Sequence, residues 1–264
     1  MSRDSFLAQV KQAAEAGRAW RVHTSAMPEG TGYVGAAGDL CDAMAAEVEA
    51  VGGHAHLVDD DEAACRALIA LLEQYAPTSA LCWQHPLLER LGIDRILAER
   101  NIARHDHTSL APQSHEQQRA AMLAADIGIT SADFAIAETG TLVVCSKPGH
   151  ERVASLLPPV HVAIIERTQI VPDLFDVPQV ASRSARGRDE PPPTAQSVAT
   201  PTAKECAESP SRSAPDSSPD LPSSLVLITG PSKTGDIELK LTTGVHGPGH
   251  WHVVIVRRRE TASN

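Results

Sequence analysis

Aromatic residues are scarce in this chain: three Trp, two Tyr and three Phe make up 3% of its 264 residues. Ala, Leu, Val and Ile must therefore fill any core, and a hydrophobic content of 42% is enough for a sizeable one. Basic charge is also in short supply. The net charge of −10 and pI near 5.6 exclude the cationic face of a nucleic-acid binder. The one tight basic run, Arg257 to Arg259, is a solvated end after the last apolar run. No apolar stretch is long enough to span a bilayer, and MSRDSFLAQV lacks the apolar core of a signal peptide, so a cytoplasmic location is expected. The five cysteines (41, 65, 82, 145 and 206) are scattered without a CxxC pair, which fits free thiols in a reducing compartment and makes the chain a poor host for an iron–sulfur cluster.

What the sequence does have is a glycine-dense block from Leu225 to Val256, LVLITGPSKTGDIELKLTTGVHGPGHWHVVIV. Leu225 to Ile228 reads as a buried strand and Val253 to Val256 as another. Between them, Gly230, Gly235, Gly244, Gly247 and Gly249 predict a close approach to the backbone. Gly230-Pro-Ser-Lys-Thr stands where a strand gives way to a possible helix. A helix start there would set free N–H groups beside Ser232, Lys233 and Thr234, a site for a carboxylate or phosphate. The spacing is not that of a Walker A loop, because Gly235 precedes Asp236. A capped turn that binds nothing stays open as the other reading.

Along the rest of the chain, apolar residues recur at helical spacing at Phe6, Val10, Ala13 and Ala14, then at Leu40, Met44, Val48 and Val51, ending at Gly52-Gly53. A strand over His54 to Val58 follows, then a helix carrying Cys65, Leu68, Ile69 and Leu72, and a strand over Thr78 to Trp83. Pro86 to Arg100 reads as helix broken at Gly92, and Ala103 to His107 as a strand. Ser114-His-Glu-Gln117 is a capping box opening a helix through Met122 and Ala125. His161 to Ile165 and Ile170 to Val177 read as further strands. Alternation of helices with short apolar strands predicts an α/β fold with a mixed, mostly parallel sheet. From Ser182 to Ser224, 18 of 43 residues are Ser or Pro, so residues 182–224 read as a flexible insertion in one domain spanning 1–256, with 257–264 as a tail. Residues 1–181 and 225–256 are expected to meet in a single sheet.

Thr130 to Val144, TSADFAIAETGTLVV, holds one acid in an apolar setting, Glu138, followed by Thr139-Gly140-Thr141 at a sharp turn. A carboxylate so placed is either paired and functional or a solvated turn residue. His54/His56, His105/His107 and His250/His252 each share a strand face, yet two ligands do not make a metal site and no third is visible by spacing.

ADFAIAETGTLV, LPPVHVAIIERTQIVP and ITGPSKTGDIELKLTTGVHGPGHWHVVIV together resemble the lactate-utilisation (LUD) domain family of the LutC/YkgG type. The resemblance implies a three-layer α/β/α sandwich like that of ribose-5-phosphate isomerase, glucosamine-6-phosphate deaminase and CoA transferases. It implies a part in L-lactate oxidation to pyruvate, with iron–sulfur partner proteins holding the clusters and no cofactor bound by this chain. On the site hypothesis drawn from these residues, Glu138 acts as base or orienter and His246 as a second acid or base. A small anionic substrate is held by Thr139, Gly140, Thr141, Gly230, Ser232, Lys233, Thr234, Asp236, Glu238, Gly244 and Gly247. His246 reads equally as a turn histidine, and Asp236 and Glu238 equally as helix N-terminal acids. Lys233 stands where the family commonly has Arg and Gly235 where Ala is expected; lysine keeps the charge without the planar fork of arginine. Kinship of fold also admits a self-contained sugar-phosphate isomerase-like or CoA-transferase-like enzyme with Glu138 as its carboxylate.

Overall fold

The computed structural model describes residues 35–176, 224–235 and 241–257, with positions 3, 5–9 and 12 near the start. The chain divides into two compact units, Met1–Val34 and Gly35–Asn264. In the first, residues 5–9 are helical, where the periodicity of Phe6 predicts it. The predicted insertion lies outside the described residues apart from Ser224, as do Cys206, Asp236, Glu238 and nearly all of the tail.

In the second unit, most of the helices start where side chains can satisfy their first amides. Asp39 caps α1 (Leu40–Ala50) by accepting from Cys41 N at 2.7 Å. Asp60 caps α2 (Asp61–Tyr75) through Ala63 N. Then come α3 (Pro86–Arg90), α4 (Ile93–Glu99), α5 (His107–Leu110), α6 (His115–Leu123) and α7 (Val153–Leu156). The predicted capping box opens α6, with Ser114 and Gln117 bonding reciprocally.

Six strands form one entirely parallel sheet: β1 (His54–Val58), β2 (Ser79–Cys82), β3 (Ala103–His105), β4 (Ile127–Thr130), β7 (Val160–Glu166) and β12 (His250–Val256). Their order is β1-β12-β7-β4-β2-β3. The central strands β7 and β12 are nearly continuous apolar runs because both of their faces are covered. Adjacent residues of β12 show the two faces: Trp251 packs beside Gly53 and Val48 of α1, whereas His252 meets Tyr75 of α2. Gly128 of β4, in register with His161 and so on the Trp251 face, lies against α7, and a Cβ on it would sit 1.7 Å from Ala154 O. Helices thus cover both faces, as the layered α/β/α reading requires.

The expectation of a single sheet is corrected. β5 (Phe134–Ile136), β6 (Thr141–Cys145), β8 (Ile170–Val171) and β9 (Leu225–Ile228) form a second, mixed sheet ordered β8-β5-β6-β9, with β5–β6 and β6–β9 antiparallel and β5–β8 parallel. The strand expected over Ile170 to Val177 stops at Val171, since Pro172 has no N–H to continue a ladder. Leu225 to Ile228 is a strand but not a buried one: at the sheet edge Leu225 and Leu227 are 39% and 48% exposed, and only Ile228 is buried. Nor does the turn after it open a helix. Lys233–Gly235 is β10, paired antiparallel with β11 (Leu241–Thr243), and Ser232 N is already bonded to Pro248 O at 2.9 Å. Among the described residues, no helix is long and apolar enough to cross a membrane.

Candidate functional site

The motif residues gather at one end of the main sheet, where β7 and β12 begin. Gly249 N and His250 N both donate to Pro159 O, and Gly244 N donates to Ser232 O, so Ser232, Gly244 and Gly247 form one knot of backbone. A Cβ on Gly247 would stand 3.2 Å from that of Ser232. The close approach predicted from the glycines is therefore made by the chain itself. Helix α1 supplies the rest of the setting. Gly230 abuts Val51, and Lys233 Nζ donates to Val51 O at 2.5 Å, closing the C-terminal end of α1 where carbonyls lack partners. Gly140 takes the left-handed backbone conformation, φ 63°, with α1 so near that a Cβ would lie 2.7 Å from Glu47 C and Val48 N.

Hydroxyls line the adjoining turn. Thr139 Oγ1 and Thr141 Oγ1 are 2.7 Å apart, and Thr141 Oγ1 and Thr229 Oγ1 the same. Thr234 pairs with Thr242 in the ribbon. Glu138 is half-buried, its N–H donating to Pro172 O, and His246 is exposed. Among the described residues, no hydrogen bond joins Glu138 to His246 or either of them to Lys233. Asp236 and Glu238 fall outside the described residues.

At the opposite end of the sheet the topology makes a different site. From β2 the chain runs outward to β3; from β4 it runs the other way, to β7 and then β12. β2 and β4 are neighbours, so the connections diverge beyond their C-terminal ends and leave a crevice, the usual place for ligands in open α/β sheets. Trp83, Gln84 and His85 follow β2, Asp106 and His107 follow β3, and Asp133 follows β4. The segment 146–153 closes over them.

Gln84 Nε2 donates to Asp106 Oδ2 at 3.1 Å, and Arg104 Nη1 donates to the same oxygen at 2.5 Å. Desolvation alone would raise the Asp106 pKa, but bonds from Ser109 and Gln84 and the Arg104 charge hold it below the ordinary value. Lys147 Nζ donates to Asp133 Oδ1 at 2.9 Å, compensating a carboxylate only 3% exposed. His150 stacks on Trp83 with centroids 4.4 Å apart, and its Nε2 donates to Gln84 O at 3.1 Å. Burial, with Lys147 adding to it, lowers its pKa to about 4, so it is neutral at pH 7 with a lone pair on Nδ1. Glu151 Oε1 is 2.7 Å from His107 Nδ1 and accepts from Gly149 N. Arg152 Nη1 donates at 3.3 Å to the neutral hydroxyl of Ser224, which leaves guanidinium donors available among the described residues.

Two hollows open here. A smaller, partly open one of about 180 Å³ is lined by Leu81, Cys82, Leu110, Ala111, Met122 and Ala154, together with His105, Asp106, His107 and Glu151. A wider one of about 460 Å³ is bordered by Ser146, Lys147, His150 and Arg152. Met122, Glu151 and Val153 line both. Except for the His105/His107 pair, none of these residues stands out in the sequence, because their significance depends on strand order. The one signal available is position: polar residues just past the ends of parallel strands.

The other histidine pairs do meet. His54 stacks on His252, His56 Nε2 lies 3.1 Å from His252 Nδ1, and Tyr75 Oη lies 2.9 Å from His252 Nε2. Burial and the neighbouring imidazoles lower the His252 pKa to about 4. Among the described residues, no group of three or more His, Cys, Asp or Glu could hold a metal ion.

Compared with known proteins, residues 41–256 match the model of the LUD domain. Lactate utilization protein C of Halalkalibacterium halodurans is 31% identical over 194 residues, covering 74% of this chain and 69% of that protein. The protein of the same name from Exiguobacterium sp. is 33% identical over 180 residues, 63% and 65% of the two chains, and that of Macrococcus caseolyticus is 28% identical over 181, 69% and 62%. The chain thus spans about two thirds or less of these relatives' lengths. Among solved structures, a DUF162 family protein from Deinococcus radiodurans aligns with a TM-score of 0.48 at 17% identity, over 82% of this chain and 96% of that one.

Proposed function

Because the chain belongs to the LUD domain family, we propose that it serves lactate utilisation, binding a small carboxylate in the crevice beyond β2 and β4. One observation carries the choice of site. The wider hollow at the switch point is bordered by two cations, Lys147 and Arg152, and the described partner of Arg152 is a neutral hydroxyl. A guanidinium with free donors grips a carboxylate in two parallel bonds, while Lys147, its charge balanced by Asp133, has further ammonium N–H donors to offer. His150, neutral and held against Trp83, borders the same hollow. The oxidation of L-lactate to pyruvate falls to iron–sulfur partner proteins in this reading, since the chain has no redox-cofactor motif. This subunit supplies the bound acid to them.

The test is L-lactate-dependent dye reduction by the iron–sulfur partners with and without this chain. Activity that needs the chain, and that Arg152→Gln reduces roughly tenfold or more, is the expected result. Partners that work equally well without it would refute the reading. Turnover of sugar phosphates or acyl-CoAs by the chain alone, lost in Glu138→Gln, would establish instead the self-contained enzyme with Glu138 as its carboxylate.

A further inference from the structure

The smaller hollow is too large and too apolar for what lactate offers it. Lactate carries one methyl, whereas an aliphatic-lined cavity of about 150 Å³ accepts a whole benzene ring, and this hollow measures about 180 Å³. Its apolar lining includes Leu81, Leu110, Ala111, Met122 and Ala154. Apart from His105, which has no described partner, the polar groups of its lining are already committed. Asp106 accepts from Arg104, Gln84 and Ser109; Glu151 is paired with His107; and Gln118 Nε2 donates to the carbonyls of Leu110 and Gln113, each at 3.0 Å. A sugar or a phosphate placed there would leave its own polar groups unpaired or face two carboxylates. A branched aliphatic or aromatic group would not.

Charge orients such a ligand. The cations lie in the wider hollow, at Lys147 and Arg152; Asp106 borders only the smaller one, and Glu151 borders both. Met122, Glu151 and Val153 are common to both, so an acid head held by Arg152 has its substituent at the shared wall. Met122 is the side chain there best able to adjust to different substituents. We propose that this site takes carboxylic acids bearing an apolar substituent larger than methyl, of the size of an isobutyl or benzyl group. The head would sit on Arg152 and Lys147 and the substituent would fill the smaller hollow. The proposal rests on the carboxylate-binding reading above and specifies the substrate class of that same site.

Calorimetric titration of the full chain at neutral pH with L-lactate, L-2-hydroxyisocaproate and L-phenyllactate tests it. Each buried methylene strengthens binding by roughly fourfold, so the two larger acids are expected to bind at least about tenfold more tightly than lactate. Ala111 is exposed at the wall of the hollow, so Ala111→Trp can fill the space without disturbing the core. In that variant the advantage of the larger acids disappears while lactate affinity stays within about threefold, which also shows that the protein is folded. Arg152→Gln weakens all three acids alike. Equal or weaker binding of the larger acids by the unaltered chain would overturn this proposal and leave carboxylate binding standing. Failure of all three acids to bind would overturn the carboxylate reading itself, and this proposal with it.

Discussion

Lowering the pH from 7.5 to 5 should cost this fold about 2 kcal/mol through one side chain, His161. Its imidazole lies at the centre of the main sheet, fully buried, with Nε2 2.8 Å from Thr130 Oγ1 and no described partner at Nδ1. Desolvation, with His252 as a smaller cause, lowers its pKa from 6.5 to about 3. Between those values the unfolded chain binds a proton that the folded chain does not, so stability falls as pH drops below 6.5 and goes on falling to about pH 3. At pH 5 the unfolded state gains a factor of roughly thirty from that proton, which is the 2 kcal/mol; at pH 7.5 it gains almost nothing. Carboxylates with lowered pKa, such as Asp106 and Asp126, stay ionised throughout this window. His150 and His252, each lowered to about 4, add to the wild-type loss and are common to wild type and variant. Urea denaturation at both pH values, for wild type and His161→Gln, isolates the one residue. With a slope of about 2 kcal/mol per molar, the wild-type midpoint should fall about 1 M further than that of the variant. Equal falls would show that His161 is protonated in the folded protein or is wetter than its burial implies, and the argument would fail.

Other substitutions separate packing from binding. Gly140→Ala puts a Cβ on a left-handed residue and against the backbone of α1, and should cost about 2 to 4 kcal/mol in urea denaturation. Lys233→Met removes the bond that closes α1 at Val51 O, about 1 kcal/mol of stability, and should leave the affinity for lactate unchanged. A tenfold weaker affinity in that variant would move the acid head to the motif end of the sheet. Gly128→Ala needs α7 to shift away from Ala154 O, and its expected outcome is little or no soluble folded protein on expression.

Local signals in the sequence are strong where one residue type can do a job alone. Asp39, Asp60 and Ser114 each satisfy helix amides, and α1, α2 and α6 begin there. The hairpin turn at Glu138 to Gly140 is legible because only glycine sits comfortably at its φ of 63°. Partition between two sheets is not local. Leu225 to Ile228 has the same composition whether it enters the centre of a parallel sheet or the edge of a small mixed one, and the choice is made by Val226 and Leu227 finding Val144 and Val143. The strand giving way to Gly230 predicts a possible helix start, yet the Thr234–Thr242 pair and the Ser232–Pro248 bond satisfy the backbone instead.

The same distinction explains why the motif end and the crevice end of the sheet look so different in sequence. Glycines and prolines advertise close backbone approach whatever makes it. At Gly140, Gly230 and Gly247 the approaching groups are Glu47, Val51 and Ser232, so packing of the chain on itself suffices to account for those glycines. The crevice gives no such advertisement, because Lys147, His150 and Arg152 are ordinary polar residues until β2 and β4 are known to be neighbours with diverging connections. Its chemistry then follows from what is left over. Asp133 uses part of Lys147, His107 uses Glu151, and Arg104 and Gln84 use Asp106, which leaves the guanidinium of Arg152 facing an uncharged hydroxyl beside an apolar hollow. An anion with an apolar body satisfies both leftovers at once, and the chain-length series of acids measures the two contributions separately.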